Sequence, residues 1–232
     1  SGGTIESAFT MKNYKTNYSI GHPFLLNSKD FIEKQNKEAS KDTFKIKYIN
    51  SIKSWSAPFV MSIANTRVVR RSVELHELNQ SGYGSDFTYK EFMNVKKYST
   101  ALMVSIGLAI LGLMIVSPIS SLFRKLFTKP GNGPDKKTRD NGWFESIFIG
   151  KNTNNEFYKL RIYGDGDPGY KTTAKFICES ALCLVKSDGY LENTNKGGVL
   201  TTATGLGDHL IKRLKNADIL FEGPEKIAKT IT

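Results

Sequence analysis

Cysteine is scarce in this chain, with two among 232 residues, which excludes a disulfide scaffold and leaves too few thiolates for a zinc ribbon. Arginine is scarce too, because only 7 of the 33 basic residues are arginines and the other 26 are lysines. Base-edge and phosphate recognition favour the planar guanidinium group, and no helix-turn-helix, zinc-finger or aromatic-sheet signature is present. We therefore do not expect a nucleic-acid partner, despite a net charge of +11.

The excess of lysine has two remaining interpretations. The lysines are scattered along the chain and interleaved with Asp and Glu, which is typical of an ordinary solvated surface. Weak attraction to acidic lipid headgroups is the alternative. A hydrophobic content of 39% in a chain of this length is enough for a sizeable core and excludes a disordered chain.

Charge is absent from one long stretch, the 26 residues from 98 to 123. As a helix this stretch measures about 39 Å, against about 30 Å for the hydrocarbon core of a bilayer. It predicts a helix that inserts into a membrane or a lipid surface, with a buried core helix as the alternative. Pro118 is expected to kink or end that helix. Basic residues flank both ends (Lys96, Lys97, Arg124, Lys125 and Lys129), so the charge distribution does not set an orientation.

The remaining sequence alternates helical and strand patterns. A strand is expected at 44–48, a helix after Pro58, a hairpin of strands at 143–149 and 157–163, and a helix over 172–186. A further helix is expected over 202–215, before a short strand at 219–221. We predict four segments: an α+β part at 1–97, the hydrophobic segment at 98–128, a flexible linker at 129–142 and a second α+β part at 143–232.

Few residue patterns point to chemistry. Residues 164–169 read G-D-G-D-P-G, but two aspartates would repel a pyrophosphate and the proline lacks an N–H, so we interpret them as a structural turn. Arg67, Arg70 and Arg71 share one helix face and predict either a solvated or salt-bridged face or an anion clamp. The three histidines have no ligand spacing, and we expect no metal site.

Four short segments stand out together: SGGTI (1–5), APFVM (57–61) with NTRVVRR (65–71), GDPGY (166–170) with Ala174 and ESALCL (179–184), and GGVLT (197–201) with Gly207 and Asp208. Together they resemble the saccharopine dehydrogenase-like oxidoreductases, a family that includes bacterial trans-acting enoyl reductases. Their order and approximate spacing are also similar to those of the family, across nearly the whole chain.

The resemblance implies a C-terminal, substrate-side region with an α+β fold, in which helices flank a mixed sheet. It also implies that NAD or NADP binds to an N-terminal Rossmann domain that these 232 residues do not contain. Animal members of the family are associated with lipid droplets, and the bacterial enoyl reductases act on polyketide-like lipid intermediates. The implied partners are therefore that Rossmann domain, an intracellular membrane or lipid-droplet surface, and a second copy of the chain.

We predict that the whole protein is an NAD(P)-dependent oxidoreductase acting on a lipid-like substrate at such a surface, and that the chain alone does not transfer hydride. We predict that the cleft between domains is lined by Asn65, Thr66, Arg67 and Arg70. Its floor is predicted to be shaped by Asp167 and Tyr170. The alternative is a non-catalytic lipid-surface or scaffold protein that retains the fold. Saccharopine metabolism itself is disfavoured, because family membership does not transfer a substrate.

Overall fold

The structure is a computed structural model that forms two compact units, one of residues 2–132 and one of residues 133–231. We call them the N-terminal unit and the C-terminal unit. The residues that the structure describes are 6, 7, 9, 10, 21–79, 82–84, 86–118, 122, 131, 133–186 and 198–228.

The N-terminal unit combines a small antiparallel sheet with three helices whose full bounds lie among the described residues. The sheet has the order β1-β2-β3, and a single 3-10 turn at Asn50–Ile52 joins its first two strands. The elements are α1 (Lys29–Lys34), β1 (Lys47–Ile49), β2 (Ser54–Ala57), α2 (Ser62–Leu78), β3 (Met93–Val95) and α3 (Tyr98–Val116). A small core of Phe24, Phe31 and Val73 joins α1 to α2.

Helix α3 begins at the expected residue and ends seven residues before the predicted end. Ser117 leaves the helix in an extended conformation (φ −56°, ψ 145°), because the ring of Pro118 disfavours helical backbone at the residue before it. Residues 119–121 and 123, and the basic residues Arg124, Lys125 and Lys129, lie outside the described residues.

The C-terminal unit is built on a second antiparallel sheet of order β4-β5-β6. The predicted hairpin and the helix after it are confirmed, and the expected helix at 202–215 is divided at Leu206 into two. The elements are α4 (Lys136–Asn141), β4 (Trp143–Lys151), β5 (Phe157–Asp165), α5 (Lys171–Lys186), α6 (Thr202–Gly205), α7 (Gly207–Asn216) and β6 (Leu220–Ile227). Phe144 of β4 packs edge-on against Phe176 of α5.

Two expectations about the fold are wrong. The mixed sheet is instead two separate three-stranded sheets whose neighbouring strands are all antiparallel. Short turns join β1 to β2 and β4 to β5, and connections of that length allow only antiparallel pairing. The expected loop at 129–142 contains helix α4, because the Asp135 carboxylate caps it by accepting a hydrogen bond from the Thr138 N–H at 2.8 Å.

Candidate functional site

Helix α2 turns three charged side chains toward the interior of the N-terminal unit. Arg67, Arg70 and Glu74 are 3–4% exposed, and their spacing places them on one face of the helix. Sequence reasoning grouped Arg67 and Arg70 with Arg71, and it left open a solvated or salt-bridged face and an anion clamp. The structure buries the first two guanidinium groups, and each has partners within the protein.

Arg67 forms a two-pronged ion pair with Asp42. Its Nη1 and Nη2 atoms each lie 2.7 Å from a different carboxylate oxygen of Asp42. Nη2 also donates to the Gly21 carbonyl at 2.9 Å, and Nη1 donates to the Thr66 hydroxyl at 3.0 Å. This planar arrangement matches the fixed fork of the guanidinium group and holds residues 21 and 42 against α2.

Arg70 binds backbone carbonyls rather than a carboxylate. Its Nη1 donates to the Pro23 carbonyl at 2.6 Å, and its Nη2 donates to the carbonyls of Ser40 and Tyr89 at 2.8 and 3.3 Å. The guanidinium carbon lies 5.4 Å from the centre of the Phe24 ring, close enough for a cation–π contact. Burial, with the neighbouring charge of Arg67, lowers the pKa of Arg70, and Asp42 opposes that shift.

Glu74 completes the polar network at the C-terminal side of the arginines. Its carboxylate accepts hydrogen bonds from the Ser28 N–H, the Asn27 side chain and Arg71. Burial alone would raise the pKa of Glu74, but these hydrogen bonds outweigh burial and the pKa is lowered. The Glu74 carboxylate is therefore charged at neutral pH.

A shallow pocket lies beside Arg70, and two of the predicted site residues, Thr66 and Arg70, line it. Asn65 lies next to it and donates to the carboxylate of Glu91 at 2.8 Å, and the Tyr89 hydroxyl donates to the same carboxylate at 2.8 Å. The lining residues are Asp42, Thr43, Ser62, Thr66, Arg70, Tyr89, Lys90 and Glu91.

The pocket combines charges of both signs with hydroxyl groups. Burial and the neighbouring Glu91 raise the pKa of Tyr89, so the phenol stays protonated and acts as a hydrogen-bond donor. The Nε atoms of Arg67 and Arg70 are buried and have no hydrogen-bond partner among the described residues. The pocket therefore offers polar and charged groups in a space of about one water molecule.

The predicted residues Asp167 and Tyr170 belong to the C-terminal unit, in the turn between β5 and α5. The Asp167 carboxylate accepts hydrogen bonds from the backbone N–H groups of Gly169, Tyr170 and Lys171 at 2.9–3.1 Å. Gly166 adopts a φ of +100°, which glycine adopts without strain, and its carbonyl accepts from the Thr172 hydroxyl. Tyr170 is partly exposed beside Gly133, where an added Cβ would lie 2.8 Å from the phenol.

This turn does not fit a dinucleotide phosphate. The N–H groups that would hold a pyrophosphate at the start of α5 are already bonded to the Asp167 carboxylate, which would also repel it. The interpretation of residues 164–169 as a structural turn is therefore confirmed.

Several residues whose side chains bind to α2 could not be identified from their spacing in the sequence. Asp42 pairs with an arginine 25 residues away, and Glu91 binds an asparagine 26 residues away. Glu74 carried a local signal, since it follows Arg67 and Arg70 at helical spacing. Among the described residues, no three His, Cys, Asp or Glu side chains lie close enough together to hold a metal ion.

Helix α3 is a second candidate functional feature of the N-terminal unit. It is long and apolar enough to cross a membrane, and only 6% of its most apolar window of 18 residues is buried. Ala101 is the one α3 residue classed as buried, whereas Met103, Leu113 and Val116 are 66–73% exposed. A core helix of a water-soluble protein shows the opposite pattern.

Comparison with curated proteins finds homologues that are named trans-acting enoyl reductases. A Mycobacterium tuberculosis protein, named provisionally as a trans-acting enoyl reductase, is 35% identical over 176 residues, covering 72% of this chain. Trans-acting enoyl reductases of Mycobacterium bovis and Mycobacterium ulcerans are 31% and 30% identical over 175 and 174 residues, with the same coverage of this chain. The chain spans about two fifths of the length of these relatives, between 40% and 41%.

No protein-family model matches the chain, and no solved structure matches it significantly.

Proposed function

We propose that this chain is the substrate-side region of an NAD(P)-dependent enoyl reductase that acts on a lipid-like substrate. The observation that carries the proposal is the identity of 30–35% to proteins named trans-acting enoyl reductases, across 72% of the chain. Identity at this level over some 175 residues favours a shared reductase-type role. Membership of the wider saccharopine dehydrogenase-like family is part of the same proposal and rests on the four segments described above.

The cofactor-binding domain, in this proposal, lies elsewhere in the whole protein. The glycine-containing turn before α5 does not suit a dinucleotide, and the described residues provide no other glycine-rich strand-to-helix turn of that kind. The chain corresponds to about two fifths of the relatives, which leaves room in them for a further domain. NAD or NADP, when bound there, supplies the hydride, and we derive no step through it from these residues.

The role proposed for the N-terminal unit is to bind and orient the polar end of the substrate. Thr66 and Arg70 line the pocket beside α2, and Asn65 and Arg67 hold its surroundings in place. Its mixture of protonated phenol, cations and carboxylates is suited to a polar group rather than to an acyl chain. The site role of Asp167 and Tyr170, which belong to the C-terminal unit, stays a separate prediction.

Attachment to an intracellular membrane or lipid droplet is the third part of the proposal. It is supported by the exposure of α3, whose apolar surface would otherwise remain in water. A reductase held at such a surface meets apolar substrates where they concentrate.

The experiment that tests the enzyme proposal is NADPH and NADH binding by calorimetry, on this chain and on the longest native product of its gene. We expect binding by the longer product alone, together with oxidation of NADPH when an enoyl thioester with a long acyl chain is added. Binding of NADPH or NADH by the 232-residue chain itself would contradict the proposal that the cofactor site lies elsewhere in the whole protein. A longer product that neither binds cofactor nor reduces the substrate would refute the reductase.

The second candidate is a non-catalytic lipid-surface protein that keeps the fold. It is favoured by the exposed α3 and by the hydrogen bonds that every Nη atom of Arg67 and Arg70 donates to protein partners. Flotation of the longer product with lipid vesicles, without cofactor binding, would favour this candidate over the enzyme.

A further inference from the structure

Three aromatic rings form a continuous cluster at the N-terminal end of α3. Tyr48 of β1 lies opposite Trp55 of β2 in the sheet register, and their ring centres are 5.2 Å apart. Tyr98, the first residue of α3, packs against the other side, with its ring centre 5.0 Å from that of Trp55. Both pairs meet edge to face at 65°. We call these three residues the aromatic cluster.

The aromatic cluster remains accessible from outside the unit. Tyr48 is 42% exposed and Tyr98 is 49% exposed, while Trp55 between them is half-buried. Tyrosine and tryptophan combine an apolar ring with a polar group, and they are enriched where hydrocarbon meets headgroups at a membrane surface.

Exposed lysines accompany the aromatic cluster, and each lies within two residues of one of its members in the sequence. They are Lys47, Lys53, Lys96 and Lys97. None of the four forms an ion pair with a described residue, and the first turn of α3 contains no acidic side chain. Lys96 and Lys97 directly precede the first residue of α3, and positive charge there complements the negative potential of a membrane that contains acidic lipids.

The helix extends away from this end of the unit. Its first turn packs on β2 and β3 through the buried Ala101, and from Leu102 onward its apolar side chains are partly or largely exposed. Nineteen residues give a helix of about 28 Å, close to the thickness of the hydrocarbon core. The aromatic cluster thus marks one end of a segment of membrane-spanning length.

We propose that the aromatic cluster lies with Lys96 and Lys97 at the headgroup level of a phospholipid membrane containing anionic lipids, and that α3 enters the hydrocarbon from that end. The inference rests on the proposed membrane attachment and deepens it, because it fixes which surface of the N-terminal unit faces the lipid. The sheet β1-β2-β3 then lies on the membrane, and α3 is anchored by its first turn.

The two tryptophans of the chain allow a direct test, since one lies in each unit. In a Trp143→Phe variant of the 232-residue chain, Trp55 is the only tryptophan. We expect this variant to float with phosphatidylcholine–phosphatidylserine vesicles, and its fluorescence to shift to the blue. Lipids brominated near the headgroup end of the acyl chain should quench Trp55 more strongly than lipids brominated near the methyl end.

The outcomes separate the inference from the attachment on which it rests. A chain that floats while Trp55 is unquenched, or is quenched best from the methyl end, overturns the proposed surface and leaves the attachment standing. A chain that does not float with any vesicle refutes the attachment and the surface together. In the Trp55→Phe variant Trp143 is the only tryptophan, so its quenching measures lipid contact of the C-terminal unit separately.

A double substitution of lysines tests whether positive charge at this surface contributes to binding of anionic lipids. Lys96→Gln with Lys97→Gln should weaken binding to vesicles containing phosphatidylserine about 30-fold, at about 1 kcal/mol for each lysine near an anionic surface. The matched control is Lys136→Gln with Lys137→Gln, an adjacent exposed pair in the C-terminal unit that lowers the net charge equally. Equal losses in both double variants would mean that the overall charge, and not this surface, attracts the lipid.

Discussion

The N-terminal and C-terminal units use the same kinds of ion pair in opposite settings. In the N-terminal unit, Arg67 is 3% exposed and pairs with Asp42 beneath helix α2. In the C-terminal unit, Arg161 of β5 is 30% exposed and bridges Glu145 of β4 and Glu222 of β6 across the sheet. Two of these carboxylates, those of Asp42 and Glu222, are 19% and 52% exposed.

Similar geometry does not make the two sets of ion pairs equal in energy. The distances are 2.5–2.8 Å in both units, but water screens the pairs on the sheet more strongly than the Arg67–Asp42 pair under α2. Removing one partner of a buried pair leaves an uncompensated charge, which costs far more than losing an exposed pair. The following predictions test this contrast, with Trp55 and Trp143 as fluorescence reporters of the two units.

The largest effect is expected for Asp42→Ala. The substitution leaves the Arg67 guanidinium buried without its counter-charge, so the N-terminal unit should lose about 3–5 kcal/mol of unfolding free energy. Urea unfolding followed by Trp55 fluorescence in the Trp143→Phe background measures it. A loss below about 1 kcal/mol would mean that water reaches Arg67 and that the contrast between the units does not hold.

Glu74→Gln should cost about 2 kcal/mol, because it weakens charge-assisted hydrogen bonds from Ser28, Asn27 and Arg71. It should also change the pH dependence of stability. The pKa of Glu74 is lowered on folding, so its stabilisation is present above the ordinary value of 4.5 and is lost as the pH falls through the folded value. Unfolding midpoints of the N-terminal unit between pH 3 and pH 7 should therefore fall less steeply in the variant than in the original chain.

The matched exposed carboxylate is Glu156 in the C-terminal unit. Hydrogen bonds from Lys226, Asn152 and Tyr158 lower its pKa too, but its side chain is 31% exposed, so water screens these contacts. Glu156→Gln should therefore reduce the acid sensitivity of the C-terminal unit, followed by Trp143, much less than Glu74→Gln reduces that of the N-terminal unit. A change in acid sensitivity as large as that of Glu74→Gln would contradict the proposed difference between the two units.

Asp167→Ala should destabilise the C-terminal unit by about 1–2 kcal/mol, since the carboxylate caps the first N–H groups of α5. Asp167→Ser, which keeps a capping oxygen, should recover most of that loss. Unfolding followed by Trp143 in the Trp55→Phe background measures both variants. If Asp167→Ala were instead neutral to stability but weakened substrate binding in the longer product, the site role predicted for Asp167 would gain support.

The smallest effect is expected for Glu222→Ala. It removes one of two carboxylates that contact Arg161, both on an open sheet face, so the cost should not exceed about 1 kcal/mol. High salt should reduce even this difference, and it should leave the effect of Asp42→Ala largely intact. A salt-insensitive loss of several kcal/mol would show that the sheet face is covered in solution.

Much of the local structure followed from the sequence. The alternation at 143–149 and 157–163 predicted the hairpin of β4 and β5, and the periodicity at 172–186 predicted α5. The absence of charge after Lys97 predicted a long apolar helix that begins at Tyr98. Helix α4 was missed because its residues are polar throughout, and polar residues lack the apolar periodicity on which the prediction relied.

Which face of a helix packs could not be predicted from periodicity. The periodicity of 172–186 predicted helix α5 but not the side that it buries, and its apolar residues Ile177 and Val185 are 68% and 80% exposed. The opposite positions Thr172 and Cys183 are buried instead. The same holds for the candidate site. Helical spacing put Arg67 and Arg70 on one face of α2, but it did not show whether water or protein would cover that face.

The elements that depend on neighbouring residues could be predicted from the amino-acid sequence: the start of the apolar helix, the hairpin, and the helix that follows the Asp167 turn. Folding alone brings together groups that lie far apart in the chain: Asp42 with Arg67, the carbonyls of Pro23, Ser40 and Tyr89 with Arg70, and Tyr48 and Trp55 with Tyr98. Backbone preferences act over a few residues, whereas a buried charge is stabilised by whichever partners the folded chain brings within hydrogen-bond distance.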